Sequence, residues 1–396
     1  MATLQTTVDG ITFPNPFVIG SGPPGTNQKV IKKAFKEGWG GMVAKTVSLD
    51  ASKVINVAPR YGKLTGENKK EVFGWENIEL IATTSFEDWL DDFRAVKDAY
   101  PDHPLIASVM EEHDKDAWFE MIQRCEEAGV DGFEMNLSCP HGLPERKMGM
   151  AMGEDPELVE EVTGWAVEAA SKPVWAKMTP NVGKIEDPTR CALRAGAHGI
   201  SAINTIRSVI GVDLDTLRPM PTVEGYSTPG GYSSVAVRPI ALRMVMEIAM
   251  LIRKEFDGRG SISGMGGAET GGDAAQFILL GADTVQVCTG VMKKGYKMVA
   301  PMIDELLAFM DQHGFDTIDD FKGHALPYFT THADLVKRQA EAQIRRKTEA
   351  DAKVAARESE NIAVQERATA AANAGVTRDE NWDEESFVEQ SDELAG

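Results

Sequence analysis

Residues 105–138 read LIASVMEEHDKDAWFEMIQRCEEAGVDGFEMNLS. The stretch opens on an apolar run, Leu105–Met110, of the length and composition of a buried strand. An amphipathic segment, Asp114–Ala128, follows and predicts a helix. Gly129 ends it, because glycine adopts the left-handed C-cap conformation that other residues resist. A second strand then spans Gly132–Ser138. This is one complete strand–helix–strand unit, and the rest of the chain repeats it.

Working outward, strands are predicted at Phe17–Gly22, Met42–Val47, Val174–Thr179, Gly199–Thr205, Ser261–Gly266 and Thr284–Thr289. Helices are predicted at Lys29–Glu37, Pro156–Ala170, Pro239–Phe256 and Gly272–Leu280. Gly38, Gly196 and Gly281 stop helices as Gly129 does. Eight such units in about 300 residues suit an α/β fold, a closed (β/α)8 TIM barrel. The competing fold, an open doubly wound sheet, usually has fewer strands and a phosphate loop after the first one. Residues 48–100 and 206–237 read as insertions, expected as loops on the C-terminal face where barrels build their active sites. The barrel is expected over 1–325. Residues 326–375 form a helical extension, with a polar helix over 333–374. Residues 376–396 form an acidic tail, either disordered or a docking segment anchored by Trp382 and Phe387.

Composition narrows the function. The chain has 396 residues, 42% hydrophobic, and a formal net charge of −20. That charge argues against non-specific binding to nucleic acid or an anionic membrane. No apolar run approaches the roughly 20 residues that span a bilayer. MATLQTTVDG lacks the basic and apolar regions of a secretory signal, so a cytoplasmic location is the default. The four cysteines (Cys125, Cys139, Cys191 and Cys288) form no CxxC pair. Neither a zinc site nor an iron–sulfur run is visible, and no metal is expected. Cys125 and Cys191 read as small buried hydrophobes.

The strand ends carry the chemistry. The second strand ends in Lys45-Thr46 and the fourth in Asn136, Ser138 and Cys139. The fifth carries Lys177, and the sixth ends in Asn204-Thr205. Lysine and asparagine are poor buried strand residues unless they meet a ligand or counter-charge. Four strands ending this way point to a bound polar molecule. After the seventh strand come Gly266 and Gly267, and after the eighth Cys288, Thr289 and Gly290. Backbone N–H groups of glycines there, near helix starts, suit a phosphate. A phosphate at one end and two lysines at the other suit FMN, where a lysine at the ring would stabilise the anionic reduced flavin.

Asn136-Leu137-Ser138-Cys139-Pro140-His141-Gly142 resembles the pyrimidine-reducing FMN domain of dihydropyrimidine dehydrogenases, a branch of the dihydroorotate dehydrogenase superfamily. The likeness runs from about residue 5 to about residue 325. It includes Ala44-Lys45-Thr46, Asn77-Ile78-Glu79, Ala176-Lys177-Met178, Ala202-Ile203-Asn204-Thr205, Arg238-Pro239 and Gln286-Val287-Cys288. The resemblance implies reduction of the C5=C6 bond of uracil, thymine or a related cyclic imide. Hydride comes from flavin N5 and the proton from Cys139. It implies that Asn77, Glu79, Asn136, Ser138, Asn204 and Thr205 bind the pyrimidine. It implies that Lys45, Thr46, Lys177, Gly266, Gly267, Cys288 and Thr289 contact FMN. A thiol with a pKa of about 8.5 can give a proton at neutral pH and regain it from solvent.

His141 and Glu79 separate the branches. Dihydroorotate dehydrogenases resemble Ser-Cys-Pro-Asn at this motif, and an added carboxylate would repel orotate. His141 could equally be a surface residue. The chain departs from the family in four ways, one of them Lys147, which stands where the catalytic loop tends to have a small residue. No cysteine follows residue 325, so the family's ferredoxin-like segment is absent. Met265 stands where threonine is usual, and Ser234 where glycine is. No convincing nicotinamide fingerprint is present, since the prolines of Gly22-Pro23-Pro24 would disturb a binding helix. The absence of both a nicotinamide site and cluster cysteines predicts electrons from a flavin or iron–sulfur partner subunit that oxidises NAD(P)H, in a homodimer or hetero-oligomer. The alternatives are a class 1-like dihydroorotate dehydrogenase and a non-catalytic flavin-bearing subunit of a larger redox complex.

Overall fold

The computed structural model describes residues 2–51, 55–67, 70–139 and 148–374. The chain begins with an antiparallel hairpin, β1 (Thr6–Val8) and β2 (Ile11–Phe13). There follow β3 (Phe17–Ile19), β4 (Gly41–Val43), β5 (Tyr61–Thr65), β6 (Val72–Asn77), β7 (Leu105–Val109), β8 (Gly132–Asn136), β9 (Val174–Lys177), β10 (Gly199–Ala202), β11 (Ile206–Ser208), β12 (Gly211–Asp213), β13 (Arg218–Met220), β14 (Gly230–Ser233), β15 (Ser261–Met265) and β16 (Thr284–Val287). Eight of these, all parallel, close a barrel in the order β3, β4, β7, β8, β9, β10, β15, β16. They are the eight predicted strands, each shorter at its C-terminal end than its apolar run. The trimmed residues leave the ladder, and Asn204 and Thr205 among them reach the barrel mouth.

Helices at Gln28–Glu37, Lys115–Glu127, Pro156–Ala169, Arg238–Glu255 and Gly271–Leu279 match the predicted ones to within two residues. Gly38, Gly129, Gly196 and Gly281 have φ of 104°, 92°, 98° and 106°, as helix-stopping glycines require. The helices pack onto the barrel through a continuous buried cluster that includes Trp39, Trp89, Trp118, Phe93 and Phe277. Phe86–Ala99 and Val299–His313 are the longest of the helices within the barrel unit that the sequence reading did not place.

The two ends of the barrel differ. At the N-terminal end the first hairpin forms a plug, with Val8 and Phe13 packed on Val18, Val43, Ile106 and Trp175. Asp9, at its turn, accepts hydrogen bonds from Trp175 Nε1 and Ser261 Oγ, both at 2.5 Å. At the C-terminal end the two insertions are not merely loops. They combine into one antiparallel sheet, β11-β14-β6-β5, in which β6 from the first insertion pairs with β14 from the second. Gly74 is required there, since a Cβ would lie 2.1 Å from the Tyr232 hydroxyl.

Met1–Pro327 forms one compact unit and a second begins at Tyr328. In the second, one helix runs His332–Ala374. At 43 residues it is about 65 Å long. Nearly all its residues from 332 to 370 are exposed. No helix of the described residues is long and apolar enough to cross a membrane. The acidic tail, 376–396, lies outside the described residues.

Candidate active site

A cleft opens at the C-terminal end of the barrel strands. It is walled on one side by β5, β6 and β14 of the insertion sheet, through Tyr61, Trp75, Asn77 and Tyr232.

Beneath the mouth lies a fixed set of amides and hydroxyls. Asn136 donates to Thr46 Oγ1 at 2.9 Å. Asn204 donates to Ser138 Oγ at 2.7 Å, and Ser138 in turn donates to Asn136 Oδ1 at 3.0 Å. Thr46 Oγ1 also pairs with Ser21 Oγ at 3.1 Å and Ser108 Oγ at 2.8 Å. These bonds fix which face of each amide is donor and which is acceptor. Cys139 follows at the cleft wall, in a small apolar cluster with Ile81, Met110 and Met148. Its carbonyl accepts from the Met150 N–H at 3.0 Å. His141 lies outside the described residues.

Two lysines reach the cleft, each with its own carboxylate. Lys45 Nζ is 3.0 Å from Glu79 Oε1. Glu79 also accepts from Arg60 Nη1 at 2.9 Å and the Tyr61 hydroxyl at 2.7 Å. Burial works to raise the Glu79 carboxyl, but the Lys45 ammonium and the three donors outweigh it and hold the group below the usual carboxylate range. Burial, and then the bond to Glu79, push the Tyr61 phenol up. Glu79 is therefore an ionised carboxylate flanked by two cations, and its charge is more than balanced. The expected repulsion of an anionic substrate by Glu79 loses its electrostatic basis.

Lys177 Nζ is 3.0 Å from Glu134 Oε1. The other Glu134 oxygen accepts from Gln286 Nε2 at 2.7 Å. Because β8 and β16 are not neighbours in the sheet, this contact crosses the barrel lumen. Cys288, also on the cleft, is pushed up to about 11 by burial, opposed by Lys177 and Lys45. It is a neutral thiol near pH 7. Burial likewise pushes Cys125 up to about 12, consistent with a packing role.

At the other end the cleft is built from backbone. Gly266 and Gly267 follow β15 with φ of 133° and 76°. A Cβ on Gly267 would lie 2.6 Å from the Ser234 carbonyl oxygen. Ser234 itself has φ 80° and ψ −170°, a region that glycine favours and that costs other residues about 1–3 kcal/mol. Its hydroxyl accepts from Lys293 Nζ at 3.2 Å, and Lys293 pairs with Glu269 at 2.6 Å. Ser233 Oγ and Thr289 Oγ1 lie 2.9 Å apart beside it.

Flavin mononucleotide fits these residues on two observations. The Gln286 Oε1 oxygen is buried without a hydrogen-bond partner on the cleft wall, and it needs an N–H such as a flavin ring carries. Gly266 and Gly267 line the same cleft beside Ser234, whose hydroxyl accepts from the Lys293 ammonium, a setting that suits a phosphate.

The structure brings almost all the expected site residues to this one cleft. Cys139, Asn77, Glu79, Asn136, Asn204 and Thr205 line it, as do Lys45, Thr46, Lys177, Gly266, Gly267, Cys288 and Thr289. Ser138 does not; it is fully buried behind Asn136 and Asn204 and holds both. The sequence reading missed Arg60 and Tyr61 as partners of Glu79. It also missed Glu134, although Glu134 stands two residues before Asn136, and alternate strand residues share a face.

Fold and cleft define the class: a (β/α)8-barrel enzyme whose site is assembled at the C-terminal strand ends. Within that class the chain belongs to the dihydroorotate dehydrogenase family, whose model matches residues 3–310. It is 55% identical over 395 residues to a chloroplastic dihydropyrimidine dehydrogenase (NADP(+)) of Arabidopsis thaliana, covering 99% of this chain and 87% of that one. That alignment includes the C-terminal helix. It is 40% identical over 323 residues to the NAD-dependent dihydropyrimidine dehydrogenase subunit PreA of Escherichia coli K12, covering 81% and 76%. It is 32% identical to the catalytic subunit of dihydroorotate dehydrogenase B (NAD(+)) of Pyrococcus abyssi, covering 82% and 99%.

Proposed function

We propose that this chain is an FMN-dependent oxidoreductase that reduces the C5=C6 bond of a pyrimidine such as uracil or thymine, or of a related cyclic imide. The observation that carries the reading is the convergence on one cleft of Cys139, an ordered amide set and two lysines, opposite a glycine-built cradle. Family membership and two relatives named as dihydropyrimidine dehydrogenases support it. Gly266, Gly267, Ser234 and Thr289 would hold the phosphate, and Lys45, Lys177 and Gln286 the ring. When bound, FMN supplies the hydride that one carbon of the double bond receives.

The chain's own groups do the rest. Asn77, Asn136, Asn204 and Thr205 offer donors and acceptors to the flat edge of an imide, each held by a neighbour so that little order is lost on binding. The Cys139 thiol supplies the proton at the second carbon, and solvent restores it. The apolar contacts of Cys139 with Ile81 and Met110 limit competing water. Electrons come from a partner subunit that oxidises a pyridine nucleotide. This part rests on two relatives named as subunits.

The test is a visible spectrum of the purified protein during anaerobic titration. A flavin spectrum bleached by 5,6-dihydrouracil, and not by dihydroorotate, supports the reading. Bleaching by dihydroorotate alone makes the chain a dihydroorotate dehydrogenase, and a colourless protein that takes up no FMN overturns the flavin assignment.

A further inference from the structure

We propose that Glu134 is a positioning residue that sets the redox potential of the flavin, acting through Lys177 and Gln286. The inference rests on the FMN reading above and concerns how that site is tuned.

Glu134 is fully buried, as are Lys177 and Gln286 to within a few percent. A carboxylate in that setting needs compensation, and here both its oxygens are used: Oε1 by Lys177 at 3.0 Å and Oε2 by Gln286 Nε2 at 2.7 Å. Two consequences follow. First, the Lys177 cation does not meet the cleft as an uncompensated charge. Electrostatic effects are strong in a dry lumen, so a negative charge one hydrogen bond behind the ammonium cancels much of its field. Second, the Gln286 amide is held in one orientation. Its Nε2 is committed to Glu134, and also donates to Ser263 Oγ at 3.0 Å. Only Oε1 remains, buried and without a partner. Glu134 thus makes Gln286 an acceptor and attenuates Lys177 at the same time.

Both effects bear on the reduced cofactor. Positive charge at the pyrimidine edge of a flavin favours its anionic reduced form, and so raises the midpoint potential. Attenuating that charge keeps the potential low, which helps electrons pass on to a substrate double bond.

The experiment is the midpoint potential of the full-length, flavin-loaded protein, read by equilibrium reduction against a reference dye, in wild type, Glu134→Gln and Glu134→Asp. Glutamine keeps the shape and removes the charge. The expected result for Glu134→Gln is a shift of the oxidised–reduced equilibrium at least tenfold toward the reduced form, a rise of about 30 mV for a two-electron couple. Glu134→Asp keeps the charge at a longer reach, and its shift should be two- to fivefold in the same direction. If the Gln variant does not fold, the Asp variant carries the test alone. A potential equal to wild type, or lower, in the variant that folds and binds flavin overturns the role of Glu134 and leaves the FMN reading intact. A wild-type protein that takes up no flavin overturns both.

Discussion

Two lysine–carboxylate pairs face the same cleft, and they are built differently. Lys177–Glu134 lies inside the barrel, where one cation and one amide share the carboxylate and the local charge sums to zero. Lys45–Glu79 lies under the insertion sheet, where two cations and a phenol share it. One of those cations, Arg60, is 42% exposed at its side chain. The inner pair is almost wholly shielded from water and must balance itself. The outer group carries an excess positive charge and shares it with solvent. Similar residue pairs thus make one group neutral and the other cationic.

That contrast predicts a graded response. Lys177→Met leaves Glu134 as a buried carboxylate with only an amide partner. Urea denaturation of the flavin-free protein should show a loss of about 3–5 kcal/mol, as when one member of a buried pair is removed. Glu79→Gln should cost less, about 1.5–3 kcal/mol, the worth of hydrogen bonds to a charged group. Its sign with pH is fixed: Glu79 is held below its ordinary value of 4.5 in the folded chain. Its stabilisation is therefore complete above that value and lost as pH falls through the lower, folded one. The gap between wild type and Glu79→Gln in denaturation curves should be constant above pH 5 and shrink on acidification. A gap that widened would mean that the carboxyl is protonated in the folded state. Arg60→Ala should cost no more than about 1 kcal/mol, and less at high salt, because the guanidinium is partly solvated. If it cost as much as Lys177→Met, the two pairs would not differ in kind.

The barrel was legible because parallel strands buried on both faces read as unbroken apolar runs between amphipathic stretches and glycine stops. The polar strand ends were legible because Lys45, Asn136, Lys177 and Asn204 contradict those runs. The insertion sheet was not. Its central pairing joins Glu76 to Tyr232 across more than 150 residues, and Gly230-Gly231-Tyr232-Ser233 carries no local strand pattern. Glycine is needed there for space rather than flexibility, since a Cβ on Gly231 would lie 2.2 Å from Thr205 Oγ1. The plugging hairpin was missed for a related reason: β1 and β2 have three residues each, too short for alternation to register. Ser138 was placed in the site by its motif, yet motif position does not show that its hydroxyl turns inward to hold two asparagines.

The central claim is that Cys139 transfers the proton while other groups of the cleft bind and tune. Its most direct test is the anaerobic rate at which 5,6-dihydrouracil bleaches the flavin in a stopped-flow instrument, wild type against Cys139→Ser. The account predicts an unchanged flavin spectrum and flavin content in the variant, with a bleaching rate lower by about 10²–10⁴-fold, the usual contribution of a positioned acid–base group. A variant that bleaches at the wild-type rate would contradict it.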